Sequence, residues 1–287
     1  MTTEKWWRDG STVSMVIGGQ RRQVFLRVEG EGPPLTMLHG FPTSSLDWAS
    51  MWDALTERHR VVAVDFLGYG RSDKPKGHTY QLDEQTELVL ATWEHLGISS
   101  SAVVAYDYGA IVAQLLLAHH SPRVSRVVLM NAGLIPELYH PRPIQRVAQV
   151  PVLGAIAFRL LNERRFTQAW SEVFGADYPL TAEVAHEHWL AMSSSAPAGD
   201  TQRRLLRYIP EREQRAEELK AALDTDVPLS FLWGAADPVS GAVAPALAKR
   251  SPQIDLVSYA GIGHYPHLEI PDRVASDILA RTEVTAL

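Results

Sequence analysis

A chain of 287 residues with 46% hydrophobic and 21% charged residues has the composition of a globular enzyme, not of a disordered segment. The formal net charge of −6, without a basic stripe, argues against a nucleic-acid partner, and the lack of cysteine excludes disulfides, thiolate metal sites and cysteine nucleophiles. No membrane span of about 20 apolar residues and no signal-peptide pattern is found. We therefore expect a cytoplasmic protein, either a monomer or a homodimer.

The first quarter of the chain predicts strands joined by turns. Residues 12–17 and 23–28 are two such strands, and the two adjacent glycines between them indicate a hairpin. The further predicted strands are 35–38, 61–66, 102–106, 126–130, 227–233 and 254–259. The predicted helices cover about 46–58, 82–96, 109–120, 242–250 and the residues after Pro271. Ser44 and Asp47 suit a capping box at the start of the first helix.

Alternation of strands and helices predicts an α/β fold with a mostly parallel sheet and helices on both of its faces. Residues 134–225 contain almost no strand pattern but several helical stretches. We interpret them as a helical cap domain inserted above the carboxyl edge of the sheet, where ligands bind in such folds. The core domain would then consist of residues 1–133 and 226–287.

Three polar loops that follow apolar strands each carry one residue suited to catalysis. Asp107 follows the strand 102–106 and is flanked at a distance of two by Ala105 and Gly109, as the tight turn of a nucleophile elbow requires. Asp237 and His264 follow the last two strands. The order nucleophile, acid, histidine is that of triads on the α/β-hydrolase sheet. Each residue alone has a simpler interpretation: a helix cap, a turn residue and a loop histidine.

A fourth loop, 38–45, ends the strand beside the elbow. The backbone N–H of Phe41 and that of Tyr108, which follows the nucleophile, could form an oxyanion hole. We expect neither a metal nor a cofactor. The histidines that stand in pairs are interpreted as helix-surface residues: His119, His120, His186 and His188.

With these motifs the sequence resembles the α/β-hydrolase superfamily, in particular its epoxide hydrolase and haloalkane dehalogenase branch. The runs "LHGFPTSSLDW", "VVAVDFLGYGRSDKP", "DYGAIVAQ", "GAADPV" and "GHYPHLE" are similar to the mesoderm-specific transcript (MesT-like) group. The resemblance spans roughly residues 35–270 and implies an eight-stranded sheet. It also implies an Asp-His-Asp triad, with Asp107 as nucleophile, His264 as base and Asp237 as the acid that orients it.

An aspartate nucleophile points to a particular reaction. A carboxylate is ionised at pH 7 and attacks without a base, and its attack on saturated carbon gives an ester that His264-activated water can hydrolyse. Epoxides and alkyl halides are such substrates. In the dehalogenase branch the halide is held by side-chain N–H groups at the positions of Phe41 and Tyr108, and neither side chain offers one. The sequence therefore favours an epoxide hydrolase that forms vicinal diols, with a role in detoxification.

Opening an epoxide leaves an alkoxide that needs a proton, and a phenol suits this role. By resemblance, Tyr208 in "LLRYIPER" is the leading proton donor. A second donor would be Tyr139 or His140, with a preference for His140 and with Tyr139 in the pocket. The apolar run 150–161 predicts a closed pocket for a small hydrophobic epoxide. The alternatives are a haloalkane dehalogenase with unusual halide donors and a non-catalytic protein that binds a hydrophobic ligand.

Overall fold

The structure is a computed structural model, and it describes residues 1–148, 150–194, 198–250 and 254–283. Within those residues the centre is an eight-stranded sheet in the order β1-β2-β4-β3-β5-β6-β7-β8. The strands are β1 (Ser11–Ile17), β2 (Gln20–Glu29), β3 (Pro34–Leu38), β4 (Arg60–Val64), β5 (Ser101–Tyr106), β6 (Val124–Met130), β7 (Leu229–Gly234) and β8 (Asp255–Tyr259). The predicted α/β fold is confirmed.

The sheet is parallel from β4 to β8, and only β2 runs antiparallel to its neighbours β1 and β4. The hairpin between β1 and β2 turns at Gly18 and Gly19, whose φ angles of +58° and +68° favour glycine. All six residues of β5 are buried, as expected for a central strand covered on both faces. Leu38 is in register with Ala105, so the loops after β3 and β5 leave the sheet side by side.

Helices cover the sheet and fill the segment between β6 and β7. Those of the core are α1 (Thr3–Arg8), α2 (Trp52–Thr56), α3 (Leu82–His95), α4 (Asp107–His120), α12 (Val243–Arg250), α13 (Pro266–Glu269) and α14 (Pro271–Thr282). Those between β6 and β7 are α5 (Pro143–Ala148), α6 (Pro151–Arg159), α7 (Glu163–Ser171), α8 (Ala182–Ser193), α9 (Ala198–Leu205), α10 (Tyr208–Gln214) and α11 (Ala216–Ala221). We call residues 134–225 the cap segment. No described helix is long and apolar enough to cross a bilayer.

The prediction of one continuous helix over residues 46–58 was wrong in detail. The structure has a 3-10 turn at Ser45–Trp48, and α2 begins only at Trp52. Ser44 caps the turn through its hydroxyl, which accepts from the backbone N–H of Leu46 at 3.4 Å. Asp47 is not a capping residue. Its carboxylate is completely buried and accepts hydrogen bonds from three polar side chains of the core and the cap segment.

Candidate active site

Asp107 stands at a sharp corner between β5 and α4. Its φ of +46° lies in the left-handed region that a non-glycine residue rarely adopts, and its backbone N–H donates to the carbonyl of Asn131 at 3.0 Å. Neighbouring glycines make the corner possible. A Cβ on Gly109 would lie 2.4 Å from the carbonyl oxygen of Leu38, and one on Gly40 would lie 2.7 Å from the Cβ of Asp107. The geometry is that of a nucleophile elbow.

One oxygen of the Asp107 carboxylate already has a backbone donor. The N–H of Phe41 donates to Oδ1 at 2.8 Å. Tyr108 is the second residue of α4, and its backbone N–H belongs to the first turn, where no helical acceptor is available and negative charge is favoured. Its side chain packs on the rings of Phe66 and Tyr208. These two N–H groups are the donors that the sequence predicted for an oxyanion hole.

The other oxygen faces His264. The Nε2 atom of His264 lies 3.4 Å from Oδ2 of Asp107, and its Nδ1 atom lies 2.8 Å from Oδ2 of Asp237. The imidazole therefore bridges two carboxylates and is itself buried. The structure brings together the three residues that the sequence placed on separate loops, in an order suited to nucleophile, base and orienting acid.

Asp237 is held as a carboxylate by several donors. Besides His264, its Oδ2 accepts from Asn131 Nδ2 at 2.9 Å and from the hydroxyl and backbone N–H of Ser240, and its Oδ1 accepts from the Val239 N–H. Burial pushes the pKa of Asp237 upward. The charge of His264 and these hydrogen bonds outweigh burial and lower the pKa to about 2.

The same carboxylates control His264. Burial pushes its pKa down, but the negative charge of Asp237 and the hydrogen bonds and charge of the two carboxylates raise it to about 10. The raised pKa favours the protonated imidazole at neutral pH. Any chemistry that neutralises Asp107 removes one of the two charges that hold this proton, and the pKa of His264 then falls.

A cavity of about 130 Å³ lies in front of the carboxylate. Asp107, His264 and Phe41 belong to its walls, and most of the remaining lining is apolar. The other lining residues are Pro42, Arg142, Gln145, Phe158, Leu161, Phe166, Ala169, Trp170, Val173, Met192, Gln202, Leu206, Val239 and Tyr265. The site combines an apolar enclosure with a few polar groups, as small-molecule sites generally do. No group of acidic or histidine side chains suited to a metal occurs among the described residues.

Two phenols lie beside this cavity without belonging to its lining. The hydroxyl of Tyr139 donates to Oε1 of Gln145, a cavity residue, at 3.0 Å. The hydroxyl of Tyr208 is buried and has no hydrogen-bond partner within the described part of the chain. Burial raises the pKa of both phenols, to about 12 for Tyr139, and the charge of Asp107 raises both further. Both remain neutral acids near the carboxylate.

The preference for His140 as second proton donor finds no support in the structure. His140 is exposed, and its backbone N–H donates to the carbonyl of Val239. The neighbouring residue, Tyr139, is buried and close enough to Tyr208 for each phenol to shift the pKa of the other. Since successive residues of an extended segment point in opposite directions, only one of the two can face inward. Tyr139 is the one that does.

Sequence reasoning missed two polar elements of the site. Asn131, directly after β6, donates to Asp237 and to the carbonyl of Gly234, and its own Oδ1 accepts from the Gly234 N–H. Its position at the end of a predicted strand was the available signal. The second element is His188, which was interpreted as a surface residue but is buried against Asp47. Its partner lies 141 residues away, so no local pattern indicated it.

Comparison with known proteins assigns the family. A family model described as alpha/beta hydrolase fold matches residues 33–271, and the chain belongs to this family. The Mycobacterium tuberculosis protein with the name "Putative hydrolase LipZ" is 35% identical to this chain, and the match covers 96% of both chains. The human mesoderm-specific transcript homolog protein is 36% identical over 85% of this chain and 77% of its own length. Haloalkane dehalogenase 2 of Mycobacterium bovis is 28% identical over 88% of this chain and 89% of its own.

A solved structure agrees in fold. The alpha/beta hydrolase fold protein from Burkholderia ambifaria has a TM-score of 0.78 and 26% identity, and the match covers 94% of this chain and 97% of that one. The protein is therefore an α/β-hydrolase whose relatives include mesoderm-specific transcript proteins and haloalkane dehalogenases.

Proposed function

We propose that the protein hydrolyses small hydrophobic epoxides to vicinal diols through an ester on Asp107. The observation that carries the proposal is the environment of its two carboxylate oxygens in the cavity wall: Oδ1 accepts from the Phe41 N–H, and Oδ2 lies 3.4 Å from Nε2 of His264. A carboxylate nucleophile is ionised at neutral pH and needs no base for its attack. Its attack on saturated carbon gives a stable ester, whereas attack on an ester or amide carbonyl would give an anhydride.

In the first step Oδ2 of Asp107 forms a bond to an epoxide carbon while the ring C–O bond breaks. The ring oxygen takes the proton of a neighbouring phenol, for which Tyr208 is the leading candidate and Tyr139 the second. The result is a hydroxyalkyl ester on Asp107 and a phenolate. Oδ1 becomes the ester carbonyl oxygen and remains next to the Phe41 N–H.

In the second step His264 acts as base. Esterification has removed the charge of Asp107, so the pKa of His264 falls and the proton it releases restores the phenol. Neutral His264 then takes a proton from water, the water oxygen adds to the ester carbon, and the developing oxyanion on Oδ1 is stabilised by the Phe41 and Tyr108 N–H groups. Collapse breaks the bond between the acyl carbon and Oδ2, and the departing alkoxide takes the proton of the newly added hydroxyl group. The diol is thereby released, and charged Asp107 and protonated His264 are regenerated.

The direct test is to trap the ester. The His264→Gln variant keeps the nucleophile but lacks the base, so with styrene oxide it should gain the mass of one substrate molecule, located on the peptide that contains Asp107. The double variant Asp107→Asn/His264→Gln is the control and should gain nothing. In ¹⁸O-labelled water the wild type should place unlabelled oxygen from Asp107 in the first-turnover diol. A folded His264→Gln protein that forms no adduct with a broad epoxide panel would contradict the proposal.

Haloalkane dehalogenation is the second candidate, and one observation favours it. Trp170 lines the cavity, and its buried indole N–H makes no hydrogen bond of good geometry within the described residues, although it lies close enough to the Tyr265 hydroxyl to lower the pKa of that phenol. Such a donor could hold a halide, although the positions of Phe41 and Tyr108 offer no side-chain N–H. The relative named haloalkane dehalogenase 2 adds to this candidate. Halide release from 1,2-dibromoethane, measured beside epoxide turnover, separates the two reactions.

A further inference from the structure

The cap segment holds a buried cation to which the described residues offer no carboxylate partner. Arg212, on α10, is 1% exposed, and its Nε and Nη2 atoms are buried without a hydrogen-bond partner within the described residues. Within the same residues no carboxylate lies within 4 Å of its guanidinium. Arginine is rarely buried unless it is paired, because desolvating a charge is costly. An isolated Arg212 therefore lowers the stability of the protein and calls for a functional explanation.

The surroundings of this cation are the two phenols of the proposed reaction. The Cζ atom of Arg212 lies 4.0 Å from the ring centroid of Tyr139, a cation–π contact. Tyr208 precedes Arg212 by four residues on the same helix, so both side chains are on one face. Space for the guanidinium comes from Gly133, where a Cβ would lie only 2.2 Å from Nη1. The guanidinium thus packs on the ring of Tyr139 and beside Gly133.

We propose that Arg212 is a positioning residue that stabilises the negative charge transferred to the Tyr208–Tyr139 pair during epoxide opening. The inference rests on the proposed function. During ring opening the negative charge leaves Asp107, passes to the ring oxygen and, with transfer of the proton, reaches a phenol. Charge thus moves from the His264 side of the site toward Arg212. Because the described residues give Arg212 only the neutral ring of Tyr139 and no carboxylate as a neighbour, its attraction increases when negative charge reaches the phenols, as catalysis requires.

The electrostatics of the phenols agree with this direction. Burial is the largest influence and raises the pKa of both Tyr139 and Tyr208, the charge of Asp107 raises both further, and the charge of Arg212 lowers both. Esterification of Asp107 removes the unfavourable charge and leaves the favourable one. The phenols thus become better proton donors when the ring oxygen needs the proton.

The kinetic test uses the His264→Gln background, in which only the alkylation step is observed. Arg212→Met removes the charge at similar length, Arg212→Lys keeps it, and Arg207→Met is the matched control, because Arg207 is exposed at the N-terminus of the same helix. We expect Arg212→Met to slow ester formation about 10- to 100-fold, Arg212→Lys to recover part of the rate, and Arg207→Met to leave it unchanged. With His264 present, hydrolysis of the ester should change less than about twofold. Equal losses in both steps, or an unchanged alkylation rate, would overturn the inference.

A measurement without substrate separates this inference from the proposed function. A fluorinated tyrosine, whose phenol ionises at lower pH, is placed at position 208 and titrated by ¹⁹F NMR. Arg212→Met should raise the midpoint by about one to two pH units, and Arg207→Met should not move it. If wild-type protein forms no ester but this shift is present, the proposed function fails while the effect of Arg212 on the phenol stands. An unchanged midpoint in folded Arg212→Met protein contradicts the inference itself.

Discussion

His188 on α8 of the cap segment places its Nε2 atom 3.0 Å from Oδ1 of Asp47 in the core, and both side chains are buried. The other oxygen of Asp47 accepts from the hydroxyls of Thr43 and Tyr106, each at 2.5 Å. Tyr106 is the residue before Asp107. The polar pair thus connects a cap helix to the strand end that carries the proposed nucleophile.

Removing His188 should destabilise the protein by about 3 kcal/mol, because Asp47 would keep its charge in a buried place with one donor fewer. His188→Leu is the variant and urea unfolding the measurement. His186→Leu, two residues away and exposed, is the control and should leave the unfolding midpoint in place. Equal midpoints for both variants would mean that the buried pair contributes nothing.

The stability that the His188–Asp47 pair contributes should depend on pH. Burial pushes the pKa of Asp47 upward, but the hydrogen bond and charge of His188 outweigh it, so the pKa lies below its ordinary value of 3.8. A lowered folded-state pKa contributes stability that is complete above the unfolded value and is lost as the pH falls through the folded value. The stability difference between wild type and His188→Leu should therefore shrink below about pH 4. A difference that stays constant down to acid unfolding would contradict this assignment.

Asp237→Asn should lower turnover by about 10³- to 10⁴-fold, since the imidazole loses the carboxylate that orients it and stabilises its charged form. It should also lower the pKa of His264 from about 10, which NMR titration of the imidazole can measure. A raised folded-state pKa contributes stability that is complete below the unfolded value of 6.5 and is lost as the pH rises toward 10. Stability of the variant should therefore change less over this range. Asp255→Asn, at an exposed carboxylate, is the control.

The phenols and His140 give a clear ranking of variants. Tyr208→Phe should slow ester formation about 10²-fold or more, because the alkoxide loses its proton donor. Tyr139→Phe should slow it as well, whereas His140→Ala should have no effect, since Tyr139 is buried and His140 is exposed. Single-turnover mixing with styrene oxide measures the rates. Slow alkylation in His140→Ala would restore the preference that the sequence suggested.

Trp170→Phe distinguishes the two candidate reactions, because it removes an indole N–H and keeps an aromatic ring in the cavity. Epoxide turnover should fall only a few-fold, whereas any dehalogenation should be abolished with the loss of the halide donor. Trp189→Phe is the control: its ring packs on Phe166 and does not line this cavity. Loss of epoxide turnover in Trp170→Phe alone would give the indole a direct role in ring opening.

Gly109→Ala should destabilise the elbow by about 1–3 kcal/mol, because the added methyl group would approach the carbonyl oxygen of Leu38 to 2.4 Å, and backbone atoms there must shift. Gly77→Ala is a useful comparison, since nothing lies within 4 Å of the added Cβ and only the positive φ of +73° opposes it, at a cost of about 1 kcal/mol. Thermal unfolding measures both. A larger loss for Gly77→Ala would show that crowding at the elbow is relieved easily.

Much of this arrangement was predictable, because strand ends and loop residues follow local rules. Asp107, Asp237 and His264 each come just after an apolar strand, and parallel strands bring such residues to one edge. The failures concern contacts made over long distances in the chain. Asp47 satisfied a local capping pattern yet bonds His188 across the cap boundary, and such tertiary contacts override local preference. His140 and Tyr139 are adjacent, and only packing decides which one turns inward.

The cavity divides its walls unequally between the two parts of the chain. The core contributes Asp107, His264 and the Phe41 backbone, whereas the cap segment contributes most of the other lining side chains together with the two phenols of the proposed ring opening. Most of the cap residues that line the cavity are apolar and take no part in the proposed bond-making steps. Substitutions at these apolar positions can change which molecules enter without touching the proposed reacting groups, so this architecture allows one reaction to be adapted to many substrates.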